Sequence, residues 1–302
     1  MKNTKNQSVN TPFNTVIPKL WSLMPDIAKK VIKHNLDINI TENRDFYNNP
    51  DSPLQHEQNW HEWGIISHSV KFLEYHETIS SNLFKKWKIK DHIDSHLSQK
   101  IDNHTKADLL KIGIIFHDLG KFSHRKIIAP KNRKPFFSFK DHQKGSGLLL
   151  RSPLIKKTIT SVYPFTDSQL EYIAGSAEVH YELGILRELA KNIENGYSKE
   201  FIDSEQFIKY IKKIIENNPL YAPEIGIMFL GDSLAKTSIH IFNYSFEPCF
   251  NEEDKLSVVN RLIYDKGLCE KLSKAAFQMV LNVDVSKKYL KTLFNLNKSN
   301  PF

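Results

Sequence analysis

A chain of 302 residues that is 40% hydrophobic and 11% aromatic can bury a real core, so it reads as a globular protein of one large domain or one domain with sizeable extensions. The net charge of +8, from 42 Lys and Arg against 34 Asp and Glu, favours an anionic partner such as a phosphate ester or a nucleic acid, although a lysine-rich surface is more often simply solvated. Two cysteines, Cys249 and Cys269, sit outside any CxxC spacing; they argue against a disulfide framework and a thiolate zinc site and fit a reducing, cytoplasmic compartment.

The first stretch, "MKNTKNQSVNTPFNTVIPKL", has no apolar core of signal-peptide length, and no later run approaches the roughly 18–20 apolar residues of a membrane span, so neither secretion nor membrane insertion is expected. Helical patterns run through nearly the whole chain with no convincing alternation of strand type, which predicts an all-α architecture. Residues 1–54 read as an N-terminal extension with a helix around "PDIAKKVIKH", closed by "NNPDSP", whose prolines and acidic or amide neighbours predict a linker. A core follows over residues 55–245, then a C-terminal helical extension over 246–302, with no internal repeat.

Within the core, several helices each carry one ligand-type side chain on an otherwise apolar face. In "NWHEWGIISHSVKFLEYH", His61, Ile65, His68, Phe72 and Tyr75 share one helical stripe, so His68 is expected to face inward. The next helix, "TKADLLKIGIIFHDLGK", opens on a capping box of Thr105 and Asp108, is apolar on most sides to Phe116, and is expected to end at Gly120. His117 and Asp118 stand at its C-terminal end, where the helix dipole favours a cation.

In "FSFKDHQKGSGLLL", His142 precedes Gly145 by one turn, and the small residues 145–147 would let this helix approach a neighbour closely. "TDSQLEYIAGSAEVHYELGIL" starts on a capping box of Thr166 and Gln169, and its stripe of Leu170, Ile173, Ala177, His180 and Gly184 points His180 at the core. In "APEIGIMFLGDSLAKTSI", Pro223 sits in the first turn and Asp232 shares a face with Ile225, Met228 and Phe229. An unpaired carboxylate there would cost several kcal/mol, so Asp232 needs a positive partner, either Lys236 one turn on or a metal.

The order H…HD…H…H…D, formed by His68, His117, Asp118, His142, His180 and Asp232, resembles the HD superfamily of metal-dependent phosphohydrolases over roughly residues 55–240. "HDLGK" and the upstream "WHEWGIISHS" carry most of the resemblance; the last three ligands are placed by context. It implies an HD-domain helical bundle in which His68, His117, Asp118 and Asp232 hold one divalent transition metal and His142 and His180 a second, with Asp118 bridging. Imidazole and carboxylate without thiolate suit Fe, Mn, Ni, Co or Zn, with Mg as a further option. The implied nucleophile is a metal-bridging hydroxide acting on a nucleotide or related phosphoester, by a phosphodiesterase or nucleotidase type of reaction.

Around that set, Lys121 would neutralise phosphate charge beside the catalytic Asp118, or else be a surface lysine after a helix cap. His124 and Arg125 add candidate substrate contacts, and His61 is a candidate substrate residue or a packed core histidine. His92, His96 and His104 fall in polar stretches and are assigned nothing. Two rival functions stay open: a di-iron oxygenase built on the same ligands, and a nucleotide- or nucleic-acid-binding module with a non-catalytic site, the latter motivated by the basic stretch "HRKIIAPKNRK" at 124–134. Pocket walls are expected from the insertions at 81–104, 125–138 and 191–220; oligomeric state is not readable.

Overall fold

The computed structural model describes residues 13–57, 60–131, 135–191, 205–237 and 269–277. These residues form an all-α protein, as the periodicity predicts. Two antiparallel hairpins depart from it: β1 (Lys100–Ile101) pairs with β2 (His104–Thr105), and β3 (Lys126–Ile128) with β4 (Phe136–Ser138). Strands this short show no alternation in sequence.

The N-terminal segment belongs to the core. Helix α1 (Val16–Asn35) starts well before the expected "PDIAKKVIKH" and runs through Pro25. Proline in a helix interior costs about 3 kcal/mol. The helix nevertheless buries Val16, Leu20, Met24, Ile27, Val31 and Ile32, and each such side chain contributes roughly 1.5–3 kcal/mol, so burial outweighs the proline. These residues join the same hydrophobic cluster as the helices that carry the histidines. After α2 (Thr41–Asn48), the "NNPDSP" stretch docks instead of linking: Asp51 accepts hydrogen bonds from Ser67 N (2.8 Å) and Ser67 Oγ (2.5 Å), capping α3 (Ile65–Tyr75), whose own N-cap residue is Gly64. No second core separates residues before 54 from those after it among the described residues.

Helix α3 continues through a π-helical turn (His76–Ser80) into α4 (Ser81–Lys86), and α5 (Lys90–Leu97) leads to β1. The central helix, α6 (Lys106–Phe116), opens on the expected Thr105/Asp108 capping box and buries residues on nearly all its sides. It ends at Phe116, earlier than expected; a turn over 117–120 leads into the short α7 (Lys121–His124). Helices α8 (His142–Arg151), α9 (Pro153–Val162) and α10 (Asp167–Glu178) follow, α10 packing between α6 and α8 behind its Thr166/Gln169 capping box.

A 3-10 turn (Val179–Tyr181) leads to α11 (Gly184–Lys191), then α12 (Glu205–Asn217) and α13 (Ala222–Ala235), which packs on α3. Residues 269–277 are helical; Cys269, Leu272, Ala275 and Ala276 bury against Phe207, Ile211, Ile225 and Phe229. The remainder of the expected C-terminal extension, with Cys249, lies outside the described residues. No described helix is long and apolar enough to cross a membrane.

Candidate metal centre

Five separate segments bring six side chains to one point. His68 comes from the middle of α3, His117 and Asp118 from the turn that ends α6, His142 from the first residue of α8, His180 from the 3-10 turn after α10, and Asp232 from α13. All are buried except His142, which is partly exposed. The "HD" turn is held against α8 by Ser146, whose Oγ donates to His117 O (2.6 Å) and accepts from Gly120 N (2.8 Å). Contact is so close that a Cβ on Gly120 would stand 1.9 Å from His142 O; the small residues of α8 and this glycine together place His142 beside Asp118.

The six residues sort into two sets that share Asp118. In the first, His68 Nε2 lies 2.8 Å from Asp232 Oδ1 and 3.8 Å from Asp118 Oδ2, and His117 Nε2 lies 3.3 Å from Asp118 Oδ2 and 3.6 Å from Asp232 Oδ1. In the second, Asp118 Oδ1 faces His142 Nε2 at 3.2 Å and His180 Nε2 at 3.7 Å. One carboxylate oxygen thus serves each set, and within each set the ligand atoms all lie within 4.8 Å of one another.

The proton inventory makes this geometry informative. Each ring turns Nδ1 to a backbone carbonyl: His68 to Ala235 O (3.3 Å), His117 to Ile114 O (2.7 Å), His142 to Phe139 O (2.7 Å) and His180 to Ala177 O (2.6 Å). Carbonyls only accept, so Nδ1 carries the proton and each neutral ring presents the Nε2 lone pair to the centre. Burial pushes His180 down to about 3, with His117 and His142 adding to it, and burial lowers His68 as well. His68 and His180 are thus neutral at ordinary pH, and a lone pair facing a carboxylate repels it unless a cation lies between them.

The carboxylates supply a field that could hold such a cation. Burial alone would raise Asp118, yet His117 and the Lys121 ammonium hold it well below the usual carboxylate range; Lys236 and His117 do the same for Asp232. Burial likewise opposes charge on His117, but Asp118 and Asp232 prevail and push it up to about 9. His117 Nε2 and both Asp118 oxygens are buried without a well-directed hydrogen bond. Orphaned polar atoms of this kind, on an imidazole and an ionised carboxylate, fit a divalent metal.

Lys121 is buried beside the centre, which removes the surface-lysine alternative: its Nζ lies 3.0 Å from Asp118 Oδ2 and 3.8 Å from Glu57 Oε2, and donates to His56 Nε2 at 2.8 Å. His61 is also brought in, though by a different route from the one expected. It precedes α3 instead of lying on it, and its ring packs edge-on against His68 (4.8 Å between centroids). His124 and Arg125 are corrections. The His124 ring packs against Gly145 and bonds Ser123 Oγ at 2.8 Å, away from the centre. Arg125 is buried on the N-terminal segment, donating to Glu42 O (3.0 Å), Asn43 Oδ1 (2.8 Å) and Gln55 Oε1 and lying over the Phe137 ring (3.7 Å), so it ties α2 to the core and is withdrawn from the basic stretch. Part of that stretch, residues 132–134, lies outside the described residues.

Sequence reasoning missed His56 and Glu57. His56 Nδ1 donates to Trp63 O (2.9 Å), its Nε2 receives Lys121, and its ring stacks 3.8 Å from that of His61. With Glu57 and His61 it forms another cluster of ligand-type atoms, but there the Lys121 ammonium already supplies the positive charge. The signal lies in the spacing of "HEQNWHEW", beside the prolines of "NNPDSP". His104 and His96, assigned nothing, are structural: His104 is buried and meets the Tyr163 hydroxyl (2.7 Å), and His96 meets the buried Glu224 (2.8 Å).

A cavity of about 650 Å3 opens over the centre, lined by His61, Lys121, His142 and Asp232 and by Trp60, Phe139, Lys140, Tyr181, Arg187 and Lys236. Of the expected insertions, 125–138 reaches it through Ser138; nothing from 81–104 or from the described part of 191–220 does. No protein-family model matches the chain, and no curated protein matches it either.

Proposed function

We propose that the protein is a metal-dependent phosphohydrolase of the HD type that binds two divalent ions and acts on a nucleotide or related phosphoester. The observation that carries this reading is the division of Asp118 between two histidine sets, one carboxylate oxygen to each. His68, His117, Asp118 and Asp232 would hold one ion and Asp118, His142 and His180 the other. Such ions supply Lewis acidity toward a phosphoryl oxygen and make water acidic enough to ionise near neutral pH.

The rest of the chemistry falls to the chain itself. Lys121 presents an ammonium at the cavity wall beside Asp118, where it binds a phosphoryl oxygen and offsets charge that builds up during transfer. His56 accepts a hydrogen bond from one Lys121 N–H and so aims the other two. His61, against His68 and lining the cavity, orients the substrate. Lysines and an arginine on the cavity wall support an anionic substrate.

The test is hydrolysis of a generic phosphodiester by wild type and Asp118→Ala across Mn, Fe(II), Ni, Co and Mg. Metal-dependent turnover that disappears in the variant is expected. Full activity in Asp118→Ala, or oxygen consumption by iron-loaded protein in place of hydrolysis, would overturn the assignment.

A further inference from the structure

Glu57 puts a carboxylate on the wall of a cavity whose proposed substrate is an anion. The residue is fixed at both ends: its carbonyl accepts from Trp60 N (3.1 Å) and His61 N (3.2 Å), and its Oε2 lies 3.2 Å from His61 Nε2. With 35% of its side-chain surface exposed, the carboxylate is open to the cavity. Burial would raise it, yet Lys121, His56 and His142 prevail and hold it below its ordinary value, so at neutral pH it is ionised and only accepts hydrogen bonds.

Lys121 ties this carboxylate to the metal centre. Its Nζ lies 3.0 Å from Asp118 Oδ2 and 3.8 Å from Glu57 Oε2. The second distance is too long for a hydrogen bond, but a single oxygen atom can stand about 2.8 Å from both Nζ and Oε2. Such an oxygen must accept from the ammonium and donate to the carboxylate. A hydroxyl does both, whereas a phosphoryl oxygen only accepts and would meet the charge of Glu57. Lys121 gives one of its three N–H groups to His56, which leaves donors for a phosphoryl oxygen and for a hydroxyl beside it. Resting on the hydrolase reading, we propose that Glu57 selects substrates with a hydroxyl on the carbon next to the phosphoester, so that 3′-linked ribonucleotides are preferred over deoxyribonucleotides. An analogue without that hydroxyl leaves the carboxylate facing the phosphate with no donor between them, and a site built to bond a substrate hydroxyl discriminates strongly on that ground.

The dinucleotide ApA and its analogue dApA, which lacks only the 2′ hydroxyl of the first sugar, isolate the contact. Wild type is expected to favour ApA in kcat/KM by about tenfold or more, equivalent to roughly 1.4 kcal/mol. Glu57→Gln keeps the size of the side chain and removes its charge; it should slow ApA while leaving dApA unchanged or faster, which brings the ratio toward one. A merely structural role for Glu57 would lower both substrates in step. The same pair titrated calorimetrically into the protein, with and without Mn(II), separates this inference from the hydrolase reading, because no turnover is involved. Tighter binding of ApA that is lost in Glu57→Gln, with neither dinucleotide hydrolysed, would retain the hydroxyl contact and reject the hydrolase. Equal handling of ApA and dApA by wild type, including binding of neither, or a preference untouched in Glu57→Gln, would overturn the contact.

Discussion

His142 Nε2 lies 3.1 Å from His180 Nε2, while the other nitrogen of each ring is turned to a carbonyl, His142 to Phe139 O and His180 to Ala177 O. With each Nδ1 donating to a carbonyl, the two Nε2 atoms face each other and Asp118 Oδ1 across a gap that a shared cation would fill.

Metal content follows directly from that geometry. Protein loaded with Mn(II) and desalted is expected to retain about two ions per chain, His180→Ala about one, and Asp118→Ala none held tightly, since outer and inner ligands each typically change affinity by about 10–100-fold or more. Elemental analysis by mass spectrometry reads this directly. Equal metal content in wild type and Asp118→Ala would remove the shared-carboxylate arrangement.

Lys121 and His56 are predicted to act on rate and not on metal binding. Lys121→Met should reduce kcat on a phosphodiester by about 10²–10³, the scale of losing one donor to developing charge. His56→Phe keeps a ring beside His61 but takes away the acceptor that aims Lys121, so a smaller loss in kcat with little change in KM is expected. Steady-state kinetics alongside metal analysis decides it; loss of metal in either variant would mean a structural role instead.

Gly120→Ala should damage the second set selectively. The added methyl would meet His142 O and Ser146 N, both backbone atoms that cannot swing away, so α8 must move off the "HD" turn. The expected result is an ion count near that of His180→Ala and a fall in melting temperature, whereas unchanged metal binding would show that His142 tolerates the shift.

A stability effect far from the centre concerns His76, in the π-helical turn. Burial pushes it down to about 4 from its ordinary value of 6.5, with Lys111 and Lys90 adding to the shift and Glu77 opposing it. Between those values the unfolded chain binds the proton that the folded one refuses, so stability is complete above 6.5 and falls as the pH drops toward about 4, by up to roughly 1.4 kcal/mol per pH unit. Urea unfolding at several pH values should give a shallower slope for His76→Gln than for wild type across that window, and parallel slopes would refute it.

Much of this was legible in the chain. The all-α class, both capping boxes and the inward stripes of α3, α10 and α13 follow from spacing alone, because helix periodicity and caps are local properties. Sequence also singled out the six residues that the fold brings together, His68 and Asp232 from their place on apolar helical faces and the set as a whole from its resemblance to the HD pattern.

What only the tertiary structure decided was where the side chains of the N-terminal segment and of residues 124–125 turn. His124 ends the short α7 that begins with Lys121 and Arg125 follows it, yet Lys121 meets Asp118 while Arg125 is drawn to Asn43 and Gln55 and His124 to Gly145. Residues 16–54, read as an extension and a linker, bury α1 in the common core and cap α3 through Asp51, and His56 just beyond them meets Lys121. Loop and turn residues have no period to betray their direction; it is set by long-range hydrogen bonds and burial, here to partners 65 to 82 positions away in the chain.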